Sequence, residues 1–173
     1  LFGEEAIIGG VAWERVIFDP QPGARTLEEV EGARPVHETV WWAGGDTRTR
    51  TGVRFTEAKV AELRERDTLL VTVRKGPKAL AEGLVETAHQ LNADRIIGID
   101  VGGDAIATGK EPGLRSPLCD SILVAALAEA GLKVPSALGI LGYGSDAELS
   151  PQEIDQNVSE IAAAGGFLGA WGI

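Results

Sequence analysis

Asp100 and Asp104 flank two glycines at the end of an apolar run, where Arg95 to Val101 (RIIGIDV) leads into Gly102-Gly103-Asp104. Two carboxylates so close along the chain can hold a hard cation through oxygen, or exchange a proton with a substrate if one of them stays protonated. A third acid, Asp146, lies in Gly142-Tyr143-Gly144-Ser145-Asp146, which follows a second apolar run, Ser136 to Leu141. Groups suited to an anion stand in similar places: Lys75 follows the run Thr68 to Val73, and Arg115-Ser116 precedes Pro117. If Asp100 and Asp104 sat about 5 Å apart in a half-buried cleft of effective dielectric near 20, they would repel by about 3 kcal/mol. A Mg²⁺ ion, a retained proton or a nearby cationic side chain must offset that. The expected site therefore has Asp100, Asp104 and Asp146 as catalytic groups, the first two doubling as Mg²⁺ ligands. Lys75, Gly102, Gly103, Arg115, Ser116, Gly144 and Ser145 form its ligand-binding rim. The bland alternative is that Asp100 ends a strand and Asp104 caps a solvated turn.

The elements that must position these residues read as βαβ units, because short β-branched runs alternate with well-capped helical patterns. Thr68 to Val73 predicts a strand, and Pro77 suits the first turn of a helix running to about Leu91. Leu80, Leu84, Ala88 and Leu91 recur on one face of that helix. Arg95 to Val101 is apolar enough to lie centrally in a covered sheet. Ser116-Pro117 opens a helix that Gly131 stops near Ala130, and Ser136 to Leu141 predicts the next strand. Ser150-Pro151-Gln152-Glu153 is a capping box with proline at the first helical position, opening a last helix to about Ala164. The first third is less regular. Ala6 to Val11 and Trp13 to Phe18 read as strands, Asp19 to Gly23 as a loop, Thr26 to Glu31 as a short helix, Glu38 to Trp42 as a strand and Phe55 to Arg66 as a helix. The pattern predicts a single α/β domain over residues 1–173, an open, mostly parallel sheet with helices on both faces in a Rossmann-like three-layer sandwich. Ligands of such sheets bind outside the carboxyl ends of the strands, where the acidic turns fall.

Other motifs fail on context. Gly142 to Ala147 matches the dinucleotide pattern G-x-G-x-x-[GA], but the helix is delayed to Ser150 and no acid ends a strand about 20 residues on. Cys119 near a helix start reads as a small core residue rather than a nucleophile. His37 and His89 read as structural or solvated, and no Cys/His cluster has zinc spacing. Trp13, Trp41 and Trp42 read as core rather than chemistry.

The chain has 173 residues, with 26 Asp plus Glu against 16 Lys plus Arg and a formal charge of −10. No basic run could follow a phosphate backbone, so nucleic acid is excluded as a partner. No apolar stretch approaches the roughly 20 residues that span a bilayer, which excludes a helical membrane anchor in these residues. One cysteine fits a reducing compartment, and cytoplasm is the expected location. The chain opens at Leu1 and has no methionine, so the expectation is a fragment of a longer chain or a sequence missing modified methionines.

Four stretches resemble one family: Gly10-Val11-Ala12-Trp13-Glu14-Arg15; Asp19-Pro20 with Pro22-Gly23 and Arg25; Asp100-Val101-Gly102-Gly103-Asp104; and Gly142-Tyr143-Gly144-Ser145-Asp146-Ala147-Glu148-Leu149. The family is the uncharacterised prokaryotic one numbered 1152 among the domains of unknown function, and the resemblance covers nearly the whole chain. It implies an α/β fold and a shared crevice, and supplies no established reaction. It also implies a further glycine-rich segment with an acidic residue ahead of Leu1, and a glycine more often than alanine at position 147. The expected function is that of an enzyme, a metal-assisted hydrolase, lyase or transferase, acting on a small polar or phosphorylated metabolite such as a nucleotide or sugar. The alternative is a non-catalytic ligand-binding or regulatory module using the same crevice, and a homo-oligomer is the default assembly.

Overall fold

Apolar alternation in the middle of the chain builds a sheet with two different faces. The computed structural model describes residues 6–170 and 172. Strands β1 (Gly9–Val11), β2 (Val30–His37), β3 (Val40–Thr49) and β4 (Thr68–Val71) form one sheet in the order β1-β4-β3-β2. β1 runs parallel to β4, whereas β3 is antiparallel to both β4 and β2. Opposed pairs point alternately to the two faces. Val40 pairs with Val71 and enters the cluster under helices α2 (Gly76–Gln90) and α3 (Pro117–Ala130). Trp41 pairs with Leu70 and enters a second cluster with Phe55 and Ala58, at the start of α1 (Thr56–Arg64). Trp41, Leu70 and Phe55 are fully buried, each contributing about 2 kcal/mol or more to folding.

The second half forms a separate two-stranded parallel sheet, β5 (Ile96–Val101) with β6 (Ser136–Leu141), joined by α3 and followed by α4 (Pro151–Ala163). This corrects the expectation of one open parallel sheet with RIIGIDV at its centre: the fold is mixed α/β, with a four-stranded mixed sheet and a two-stranded parallel one. Ile99 and Val101 of β5 remain more than half exposed. A cavity of about 530 Å³ lies between β1, β5 and the flanks of α2 and α3, walled mainly by aliphatic side chains. Among the described residues, no helix is long and apolar enough to cross a membrane.

In the second half the helix and strand bounds fall within a residue or two of expectation. In the first third the strand expected over Ala6 to Val11 is formed only at Gly9–Val11, and three further expectations change. Trp13 to Phe18 is irregular chain ending in a turn, Thr26 to Glu31 contributes only a single 3₁₀ turn at Leu27–Glu29, and the strand from Glu38 starts at Val40 and runs on to Thr49. β2 was not expected at all. Pro35 is tolerated because β2 is an edge strand, and its pairing is irregular around Gly32 and Val36. Gly45 lets α1 close onto β3, since a Cβ there would stand 3.1 Å from the Cβ of Glu62.

Candidate functional site

At the carboxyl end of β5, Gly102 (φ +130°) and Gly103 (φ +126°) reverse the chain through backbone conformations that L side chains rarely adopt. A 3₁₀ turn, Asp104–Ile106, follows at once and brings Asp104 back beside Asp100; the Ala105 amide lies 3.4 Å from Asp100 Oδ2 and donates to it. The turn is held from below by α4. Ile154, fully buried, packs so close that a Cβ on Gly103 would come within 2.9 Å of its Cδ1. Asn157 Nδ2 donates to the Ile106 carbonyl at 3.1 Å and to Glu111 Oε1 at 3.0 Å. α4 starts where it does because Ser150 and Glu153 complete the expected capping box.

The third member of the group comes from α3. Asp120 lies in the helix's first turn, where a carboxylate also favours the dipole. Carboxylate oxygens of Asp100, Asp104 and Asp120 all lie within 4.8 Å of one another, with Asp104 buried and the other two half-buried. Burial raises the Asp104 carboxyl to about 7, reinforced by the charges of Asp120, Asp100, Glu148 and Asp146. Burial and Asp100 also raise Asp120, while hydrogen bonds from its own backbone and from Asp104 partly offset them. The Asp104 carboxyl therefore keeps its proton well above the usual carboxylate range. Asp120 was not anticipated. The available signal was an acid in the first turn of a helix that follows a strand-end loop. Burial, with Asp120 and Asp104 nearby, pushes the Cys119 thiol up to about 12, which agrees with reading it as a packing residue rather than a nucleophile.

The loop after β6 is clamped onto this turn. The Gly144 amide donates to the Gly102 carbonyl at 2.7 Å, and the Asp146 carboxyl lies against Gly102, where a Cβ would come within 2.2 Å of its Cγ. Asp146 Oδ1 accepts from the Glu148 amide at 3.2 Å, while its Oδ2 is buried with no hydrogen-bond partner. The loop thus brings Asp146, Gly144 and Gly102 together, with Asp146 close enough to act on Asp104 electrostatically. Ser145 turns back toward its own loop, its Oγ 2.9 Å from where a Cβ on Gly142 would stand.

Arg115 and Ser116 occupy a different setting from the one expected. Ser116 makes no side-chain cap to α3. Glu148 instead accepts from the amides of Arg115 (2.6 Å) and Ser116 (3.0 Å) and from Ser116 Oγ (2.6 Å). These bonds hold the Glu148 carboxyl low despite opposing burial. An internal carboxylate therefore occupies donors that an anionic ligand was expected to use. Lys75 lies on the other half of the molecule, between β4 and α2, where its Nζ pairs with Glu38 at 2.5 Å. Three close carboxylate oxygens with a buried member suit a hard divalent cation such as Mg²⁺, which takes oxygen donors and completes its shell with water.

Neither a curated protein nor a solved structure matches the chain. The model of one family, described as a protein of unknown function (DUF1152), matches residues 1–173, and the chain belongs to that family.

Proposed function

We propose that the chain is an enzyme acting on a small polar or phosphorylated metabolite, nucleotide- or sugar-like, in the crevice at the carboxyl ends of β5 and β6. The observation that carries this reading is the clustering of Asp100, Asp104 and Asp120 within 4.8 Å. At that separation and an effective dielectric near 20, each ionised pair repels by about 3 kcal/mol. The strongest charges acting on buried Asp104 are all acidic, so the arrangement lacks its counter-charge. Asp100 and Asp104, with Asp120 as a third donor, would hold Mg²⁺, which when bound polarises a phosphoryl or carbonyl oxygen. Asp146 is then left as the acid–base group. Gly144 and Ser145 would offer backbone to the ligand, with Gly102 and Gly103 buried behind them to hold the turn, and Arg115 and Ser116 would bind the anion once Glu148 yields their amides. Lys75, paired with Glu38 at the start of α2, stands outside this group. The same reading treats the two sheets as parts of a Rossmann-like layered fold and places the protein in a bacterial cytoplasm, a setting suited to the unpaired Cys119.

Thermal melting against a panel of nucleotides, sugar phosphates and small organic acids, with and without Mg²⁺, tests it. Ligand binding to the native state raises the melting temperature by mass action. The account expects shifts that need Mg²⁺ and vanish in D100A/D104A, with turnover of the stabilising compound. Mg²⁺-dependent shifts without turnover would favour the non-catalytic binding module instead, and shifts unchanged in the double variant would remove both readings.

A further inference from the structure

A second cavity, of about 440 Å³, opens at the carboxyl ends of β1 and β4, a volume in the range of small-molecule sites. It is distinct from the acidic cluster. On α3 it takes Leu118 and Ile122, four residues apart and so on one face, while Asp120 lies half a turn away from both. Its floor holds a buried guanidinium. The Arg25 side chain is 7% exposed and its Nη2 is bound by Asp19 and the Gln21 carbonyl, yet its Nε has no acceptor. At the mouth stands Arg74, half-exposed. It donates once, from Nη1 to the Ala24 carbonyl at 3.2 Å, and its Nη1 lies 4.0 Å from Glu29 Oε2, beyond hydrogen-bond reach. Trp13, Leu118 and Ile122 supply apolar wall, and Leu118 is left 63% exposed.

We propose that this cavity binds a small monocarboxylic acid with an aromatic or branched aliphatic body, its carboxylate on Arg74 and its body against Trp13, Leu118 and Ile122. The charge balance favours a monoanion over a dianion. Arg25 and Arg74 are matched by Asp19 and Glu29, which leaves these four groups neutral in sum. A monoanion on the Nε–Nη2 edge of Arg74, whose Nη1 alone donates to Ala24, adds one negative charge at a charge-assisted pair, whereas a dianionic phosphate would add two. The apolar wall needs a body to cover it, which excludes a bare inorganic anion as the best occupant.

The test is an NMR titration of the ¹⁵N-labelled 173-residue chain with phenylacetate and 4-methylpentanoate, beside neutral phenylacetamide and inorganic phosphate. The expected result is saturable movement of the Trp13 indole and the Gly23 and Ala24 amide signals with at least one of the acids. Phenylacetamide and phosphate should bind at least about tenfold more weakly, and R74Q should lose about tenfold or more, the worth of one charge-assisted pair. Arg74 is exposed, so R74Q keeps the fold. No movement with either acid, equal binding of acid and amide, phosphate binding as tight as the acids, or an unaffected R74Q would each overturn the proposal.

Discussion

Replacing Asp104 by asparagine separates the buried acid's electrostatic burden from its shape. In the folded chain its carboxyl titrates at about 7 instead of the ordinary 3.8, which corresponds to about 4 kcal/mol. Burial is the largest cause of that rise, and the neighbouring carboxylates, which repel by about 3 kcal/mol each at the observed separation and an effective dielectric near 20, add to it. The direction follows from proton binding: between pH 3.8 and about 7 the folded state keeps a proton that the unfolded state has released. Stability therefore falls as pH rises through that window and levels off above it. Asp104→Asn cannot ionise and should not show this part of the decline. Near pH 3.5 the two proteins should unfold alike. At pH 8, without divalent ions, D104N should be more stable by up to about 4 kcal/mol, or about 8 °C or more in Tm for a chain of this size. Urea unfolding at pH 3.5, 5, 6.5 and 8 measures it. A D104N stability that falls in parallel with wild type, or lies below it at pH 8, would refute the reasoning. Mg²⁺ at pH 8 should close the gap by stabilising wild type alone.

Gly102→Ala should destabilise the fold by about 2 kcal/mol or more in urea unfolding, because the new Cβ meets the Asp146 carboxyl at 2.2 Å and φ is +130°. Ala147 has φ +61°, so Ala147→Gly should relieve left-handed strain and raise stability by about 0.5–1 kcal/mol, the strain relief outweighing the added unfolded-state freedom. Ser150→Ala removes the side chain that accepts from the Glu153 amide and should lower stability by about 1 kcal/mol. Circular dichroism melts of the two variants against wild type check these signs.

The second half was legible because each of its signals acts locally. Pro117 and the Ser150–Glu153 box set helix starts through backbone groups a few residues away, and α3 and α4 begin where they put them. α3 ends at Gly131 as expected, but with Gly131 still right-handed (φ −58°) rather than in the left-handed cap expected of it. The first third depends on distant partners. β2 carries Gly32 and Pro35, both poor strand residues, and forms because β3 offers it a hydrogen-bonded edge. β3 continues past the expected Trp42 end through Gly44-Gly45-Asp46, where α1 packs against Gly45. The separation of β5 and β6 from the larger sheet was equally hidden, since apolar content marks a strand without naming its neighbours. At the site, the closeness of Asp100 and Asp104 followed from four residues of chain and two glycines. Asp120 and the placement of Glu148 on Ser116 depend on how α3 and the loop after β6 dock on the Gly102–Gly103 turn, and no periodicity reports that. Ala147 is a case where family resemblance and geometry agree: glycine is the expected residue there, and the backbone adopts the left-handed region that glycine favours.

Counting divalent ions on the protein tests the central claim most directly. Titration of the chain with Mn²⁺ at pH 8, followed by the loss of free-ion EPR signal and by competition with Mg²⁺, should give one saturable site per chain that disappears in both D104N and D120N while each variant stays folded. Binding that persists undiminished in both variants, or no saturable site in wild type, would contradict the account.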